Sequence, residues 1–299
     1  MTLTLTPKTP NPKPHMQASF GFQVLIFIPC AIFQTEKFYD LTGSITFFGL
    51  SITSILVGSK VDFDQPIFDQ LKTRQIVLNC FVIVWCCRLG SFLFVRIIHD
   101  GGVDRRFDGV REIPVRFFSF WMFQGLWVVL TALPVWTLNA YGSSEDPDPA
   151  LGPVDYIAWG LWATGFLIEV IADRQKSAFA ARKTGKWIDE GLWHYSRHPN
   201  YFGEIMLWCG VCFGSTPILK DSQWAVFISP IFAWFLLARV SGVPLTERRS
   251  DKKWGDQLEY QLYMANTSPI MLWSKGDKTE EDEDVKTALM TAQQKTTAM

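Results

Sequence analysis

Charge along the chain falls in blocks separated by long uncharged runs. Phe20–Phe33, Leu41–Gly58, Ile76–Cys87, Phe117–Tyr141, Tyr156–Ile168, Ile205–Leu219 and Trp224–Ala238 contain no Asp, Glu, Lys or Arg, and Leu89–Val95 resumes the third run beyond Arg88. A helix that crosses about 30 Å of hydrocarbon needs about 20 mostly apolar residues. Counted with their flanks, the runs predict seven spans, near 20–36, 41–59, 75–98, 115–139, 154–173, 200–218 and 222–242. Seven buried helices in a soluble fold would leave too few amphipathic ones to cover the core. The expectation is an all-α polytopic membrane bundle of about seven transmembrane helices. It would occupy 20–274, between a polar N-terminal segment at 1–19 and an acidic, disordered tail at 275–299. No internal repeat is present.

Basic residues separate by side, which adds an orientation. One set of loops receives Lys37, Arg105, Arg106, Arg111, Arg116, Arg174, Lys176, Arg182, Lys183, Lys186, Arg197, Arg239 and all that follow. The alternate set receives only Lys8, Lys13, Lys60, Lys72, Arg74 and Lys220, and its 142–153 loop carries Glu145, Asp146 and Asp148 without a base. The basic side is expected in the cytosol, with the N-terminus outside and the C-terminus inside. The opening MTLTLTPKTPNPKPH has no apolar core before a small-residue cleavage site, so a signal peptide is not expected.

Composition narrows the function classes. Charged residues are 19% of 299, below the roughly 25% of soluble domains, and 24 Phe and 13 Trp make the chain rich in rings. That much apolar surface excludes global disorder. The 28 basic and 29 acidic residues leave a net charge of −1, with no excess for nucleic acid. Six Cys are too sparse for a disulfide scaffold.

Charge inside a span is costly, so it reads as paired or functional. Arg88 lies within the third span, where a buried anionic partner is expected, and Arg96 lies two turns on, where snorkelling to the cytosolic interface suffices. Glu169, Asp173 and Lys176 share one helix face at the cytosolic end of the fifth span. They read either as a self-paired stripe or as a phosphate or sugar contact. The densest stretch is GLWHYSRHPNYFGEIMLW at 191–208. Pro199 suits the first turn of a helix, and Arg197 and His198 precede it. Free N–H groups there would favour an anion. Asn200 and Glu204 share a face one turn apart, and a carboxylate one turn inside the membrane suits a ligand amide or hydroxyl.

Other patterns carry less. His194 and His198 have i, i+4 spacing, but Pro199 argues against one helix through both, and four His in the chain exclude a diiron cluster. Cys209 and Cys212 fall in an apolar span and read as packing, as do Cys86 and Cys87. No glycine-rich phosphate loop follows a strand-like run. No metal site is expected.

GLWHYSRHPNYFGE at 191–204 resembles the signature of the DUF1295 branch of the membrane steroid 5-alpha-reductase and sterol reductase superfamily. The likeness continues through FYDLTGS, WCCRL, VDRRFDGVRE, IADRQK, SGVPLTE and WGDQLEYQLY, in that order, over roughly Phe38 to Pro269. It implies a helical membrane fold, placed in the endoplasmic reticulum, in which NADPH enters from the cytosolic side. It also implies reduction of an activated carbon–carbon double bond of a lipid. By the same resemblance Asn200 and Glu204 meet the nicotinamide end, with Arg197, His198 and Tyr201 lining the pocket. Asp173 and Lys176 would touch ribose and phosphate, Arg88 the diphosphate, and Tyr260 and Tyr263 would close a lid with Arg248 or Arg249.

Two positions depart from the pattern. Trp85 stands where steroid 5-alpha-reductases place a carbonyl-binding Tyr; an indole N–H donates but relays no proton. Ala180 replaces a basic residue one turn after Lys176. Asp40 is then the alternative proton donor, or a helix cap beside Thr42 and Ser44. Two rival readings stand. One is an S-adenosylmethionine-dependent methyltransferase of the isoprenylcysteine type, which shares an RHPxYxG stretch. The other is a non-catalytic lipid-binding membrane protein.

Overall fold

The computed structural model describes residues 13–99, 101–141 and 149–272. The first twelve residues, the acidic part of the 142–153 loop and the acidic tail lie outside the described residues. Among those described, ten α-helices and no strand occur. They are α1 (Lys13–Ile32), α2 (Tyr39–Gly58), α3 (Thr73–His99), α4 (Pro114–Tyr141), α5 (Pro153–Ala181), α6 (Leu192–Tyr195), α7 (Pro199–Ser215), α8 (Ile228–Phe235), α9 (Val243–Trp254) and α10 (Leu258–Asn266). The all-α expectation holds.

Among the described residues, six helical stretches are long and apolar enough to cross a membrane: α1 to α5, and the run Asp221–Trp254 that contains α8, a π turn at Leu236–Val240, and α9. The remaining segment expected to span, 200–218, is α7. Its 17 residues span about 25 Å. Pro199 starts it, and it hands over after Ser215 to a 3-10 turn holding Pro217. The first helix also begins at Lys13, seven residues before the expected boundary at 20.

The chain divides into two compact units, one comprising 1–162 with 208–232 and the other 163–207 with 233–299. In the first unit, Phe47, Trp85, Trp127 and Trp208 form a ring cluster. Trp85 meets Phe47 at 5.1 Å and Trp208 at 4.9 Å, both edge to face, a geometry that favours the ring quadrupoles. Polar pairs then join its helices, as they do where lipid offers no hydrogen bonds. Gln124 donates to Gln23 at 3.0 Å, and Gln23 donates to Thr46 at 2.9 Å. Asn79 donates to the side-chain Oδ1 of Asn139 at 2.9 Å.

At one end of this unit the FYDLTGS and VDRRFDGVRE segments meet through charge. Arg106 bridges Asp104 and Asp40, each at 2.5 Å. Glu36, only 2% exposed, accepts the Asp104 backbone N–H at 2.7 Å and pairs with Arg111 at 3.1 Å. Burial alone would raise the Asp104 carboxyl, but hydrogen bonds and charge from Arg106 hold it below the usual carboxylate range.

The second unit is built on a close helix crossing. A Cβ on Gly203 of α7 would lie 2.6 Å from the Gly165 carbonyl oxygen and 2.7 Å from the Glu169 nitrogen of α5. Only glycine permits that approach, which aligns the first turns of α7 with the end of α5. The chain after α10 folds back to the start of α7. The Arg197 N–H donates to the Ser268 carbonyl at 2.8 Å, and Ser196 Oγ to the Ile270 carbonyl at 2.7 Å.

Candidate functional site

The second unit holds a cavity of about 360 Å³, lined by residues of α5, the 183–188 loop, Trp193, the Arg197–His198 pair, α9 and α10. Small-molecule sites span about 300–1,000 Å³. Its charged lining is lopsided: Lys176, Lys183, Lys186, Arg197 and Lys253 face one carboxylate, Glu247. Its rings include Trp187, Trp193, Trp254, Tyr260 and Tyr263. Cations with exposed ring faces suit a ligand that joins phosphate to an aromatic base.

Local sequence explains how the wall is held. Gly191 has φ of +60°, and a Cβ there would collide with the Gln175 amide. That amide accepts the Leu192 N–H at 3.0 Å, which starts the α6 turn. Trp193 is thereby buried and donates its indole N–H to the Ala172 carbonyl at 3.0 Å. Lys176 lies over the same ring at 4.8 Å. Trp187 packs on Tyr260 at 5.2 Å, and Trp254 donates to the Gly185 carbonyl at 2.7 Å.

The turn into α7 carries the most elaborate polar contacts. His198 is 3% exposed and stacks on Tyr201 with ring centroids 5.0 Å apart. Its Nε2 lies 3.2 Å from Glu247, which Arg197 Nε approaches at 3.4 Å. Tyr201 and Thr246 hydroxyls meet at 3.4 Å. Asn200 donates to Asp173 at 3.2 Å. Burial pushes His198 below its ordinary 6.5, and Lys176 and Arg197 add to this against the upward pull of Glu247. The expected anion seat at this helix start takes another form. Pro199 has no N–H, and those of Tyr201 and Phe202 turn back to the His198 carbonyl at 3.1 and 3.2 Å.

The sequence-predicted residues distribute plainly. Asp173, Lys176, Arg197, His198, Asn200, Tyr201, Glu204, Tyr260 and Tyr263 all belong to the second unit. Glu204 is half-buried on α7, one turn after Asn200. Tyr263 donates to the Trp193 carbonyl at 3.0 Å and Tyr260 to Asp251 at 2.9 Å. Both phenols are pushed well above the ordinary range, by burial first and then, for Tyr260, by Asp251. Their partners are therefore Trp193 and Asp251, while the expected lid partners Arg248 and Arg249 are exposed. His194 lies in α6, His198 lies outside it just before α7, and His194 pairs with Asp189 at 3.1 Å.

Arg88, Asp40 and Trp85 belong to the first unit. The Arg88 guanidinium lies 5.3 Å from the Phe92 ring centroid. Asp40 is engaged by Arg106 at 2.5 Å and approached by Arg96 at 3.7 Å. α2 has Phe38 at its N-cap with no side-chain cap bond, so Asp40 works as an ion-pair partner in the first turn. Trp85 is buried in the ring cluster.

Sequence reasoning missed Glu247, Thr246, Asp251 and Trp187. For Glu247 a signal existed, since it ends the SGVPLTE segment. Its neighbours on α9, ERRSDKKW, read as an ordinary solvated run.

Fold and site together define a multi-pass helical membrane protein with a cationic, ring-lined cavity in its second unit. The chain belongs to the family described as Protein of unknown function (DUF1295), which it matches over residues 26–267. It is 25% identical over 252 residues to an uncharacterized Schizosaccharomyces pombe protein, covering 72% of this chain and 70% of that one. It is also similar to the 3-oxo-5-alpha-steroid 4-dehydrogenase 1 of Homo sapiens, at 38% identity over 88 residues, 29% of this chain and 30% of the relative. The Macaca fascicularis protein of the same name is 36% identical over 88 residues, with the same coverage. These two matches support membership of the steroid 5-alpha-reductase-like superfamily. No solved structure matches the chain.

Proposed function

We propose that the chain is a membrane oxidoreductase that reduces an activated carbon–carbon double bond of a lipid with NADPH. The cavity carries the reading: five cations and a set of rings face a single carboxylate, as a dinucleotide would require. Lys183, Lys186 and Lys253 would hold phosphate, and Trp187 and Trp254 would flank the adenine. Arg197, His198, Asn200 and Tyr201 would hold the nicotinamide half, with Asp173 at its ribose. Among the described residues the buried Asn200 Oδ1 and His198 Nδ1 have no hydrogen-bond partner, which suits a polar group arriving there.

When bound, the cofactor supplies hydride. The chain's own part is to hold the reacting carbon and the cofactor in register and to exclude water. Glu204 would take the contact at the reacting end. The steroid dehydrogenase relatives support redox chemistry on a lipid. Trp85, which donates a hydrogen bond but relays no proton, keeps the substrate class at activated alkenes broader than steroid enones. An endoplasmic reticulum location with a cytosolic C-terminus completes the reading.

Thermal unfolding of the purified chain in detergent, with NADPH, NADH or S-adenosylmethionine added, tests the cofactor. NADPH is expected to raise the midpoint; stabilisation by S-adenosylmethionine alone overturns the reductase reading. Lipids from a knockout strain, compared by mass, test the chemistry. The expected finding is accumulation of a species two hydrogens lighter than the one lost. Re-expressed wild type restores the pattern and Glu204→Gln, at equal abundance, does not.

A further inference from the structure

Charge on α9 is sorted by face. The helix carries Glu247, Arg248, Arg249, Asp251, Lys252 and Lys253. Both carboxylates are engaged elsewhere than with these cations. Glu247 meets His198 at 3.2 Å and Arg197 at 3.4 Å, and Asp251 accepts from Tyr260 at 2.9 Å. At about 3.6 residues per turn, Glu247, Ser250 and Trp254 fall on one side of the helix, which lines the cavity together with Thr246 and Lys253. Arg248 and Lys252 fall on the opposite side, with Arg249 beside them. All three are exposed and absent from the lining. None of the three has an ion pair among the described residues. Like charges one turn apart, as Arg248 and Lys252 are, repel, so the outer face of α9 is set for an anion.

The place of this face along the chain selects the anion. The run Asp221–Trp254 is long and apolar enough to cross a membrane. Towards its end Trp234, Phe235 and Val240 are exposed apolar residues that suit lipid. Arg239 stands among them, exposed and without an ion pair among the described residues. The chain then turns tightly: a Cβ on Gly242 would lie 2.3 Å from the Leu237 carbonyl oxygen, and Pro244 opens α9. Measured from Val243 at 1.5 Å per residue, Arg248 lies about 8 Å and Lys252 about 14 Å along the helix. Whatever the tilt of α9, these cations stay within the headgroup layer or about one Debye length of it. We infer that the outer face of α9, with Arg239, binds anionic phospholipid headgroups of the leaflet in which this span ends. The guanidinium forks take the headgroup phosphate. The unanswered positive charge favours a lipid of net negative charge over a zwitterionic one. Lipid face and cavity lie on opposite sides of one helix, so the inference stands whatever the cavity binds.

Native mass spectrometry of the full chain in detergent, with phosphatidylserine or phosphatidylcholine added at equal concentration, counts the lipids retained. The wild type is expected to hold phosphatidylserine about tenfold or more tightly than phosphatidylcholine, since each nearby cation is worth roughly fivefold for an anionic lipid. Added salt should narrow the difference. Arg248→Gln with Lys252→Gln should cut the preference by about fivefold or more. Lys60→Gln, which removes an exposed cation of the predicted non-cytosolic side, should leave it unchanged. Equal retention of the two lipids by the wild type, or an undiminished preference in the double variant, overturns the inference. The acidic run 280–284 is the rival occupant of the face. It is neutralised by Glu280→Gln, Glu281→Gln, Asp282→Asn, Glu283→Gln and Asp284→Asn together. A phosphatidylserine preference that the wild type lacks and this variant gains assigns the face to the acidic run and likewise overturns the inference. No dinucleotide is present in these measurements, so their failure leaves the cofactor reading untouched.

Discussion

His198 is buried against Glu247, and that burial makes it respond to acid. Its folded-state pKa lies below the ordinary 6.5, so the unfolded chain takes up the proton first as pH falls. The contribution to stability is complete above that ordinary value and is lost as pH drops through it toward the folded value. Glu247 from α9, Lys176 from α5 and neighbouring Arg197 set how far the loss extends. Thermal midpoints measured from about pH 8 down to about pH 5 should fall more steeply for wild type than for His198→Gln. Parallel curves would remove His198 as the cause. A second residue comparison separates cavity from surface. Lys252 and Lys253 are both exposed, but Lys253 lines the cavity and lies 4.4 Å over Trp254, whereas Lys252 is not part of the lining. Lys253→Ala should weaken NADPH binding by about 1 kcal/mol, the scale of one cation contact. Lys252→Ala, measured by the same titration, should leave it unchanged.

Among elements, the crossing of α5 and α7 within the second unit has the least room for change. Gly203→Ala would press a methyl to 2.6 Å from a backbone oxygen, and the helices must part. The expected cost is about 1–3 kcal/mol, with cavity binding weakened because His198 leads directly into α7. Gly160→Ala on α5 meets nothing within 4 Å and should be neutral or gain about 1 kcal/mol in helix propensity. Chemical unfolding of the two variants checks the contrast. This crossing also shows what the sequence could disclose. The face shared by Asn200 and Glu204 followed from helical spacing, and Pro199 marked where α7 begins. The partners did not follow, because Asn200 bonds Asp173 and His198 bonds Glu247, 27 and 49 residues away. Such pairings depend on how helices cross, which spacing within one helix does not encode. The end of α7 was legible only to within a few residues: the uncharged run continues to Leu219, while the helix gives way after Ser215 to a 3-10 turn that holds Pro217.

For the whole molecule, the legible quantity was the side-to-side asymmetry of Lys and Arg, and the structure changes its weight at one residue. Arg74 counts in the sequence as a cation of the predicted non-cytosolic side. In the first unit it is 1% exposed and pairs with Asp155 through Nε at 2.7 Å and a second nitrogen at 2.9 Å. It also donates to the Pro149 and Ala150 carbonyls at 2.6 and 3.0 Å. Its charge is answered inside the protein, so the basic excess on the opposite side is sharper than a residue count suggests. Breaking the pair should be costly: Asp155→Ala strands a buried guanidinium and should destabilise the chain by about 3–5 kcal/mol. Replacing both partners by apolar residues of similar size, as Arg74→Met with Asp155→Leu, should recover much of that loss. Orientation should be indifferent to either change, because it rests on the exposed cations beyond α5 and α9. A reporter fused after residue 272 should read as cytosolic, and a tag in the 60–72 loop should read as outside, in wild type and in the double variant alike. The opposite pattern would turn the cavity lysines away from the cytosolic cofactor supply and remove the basis for NADPH at that site.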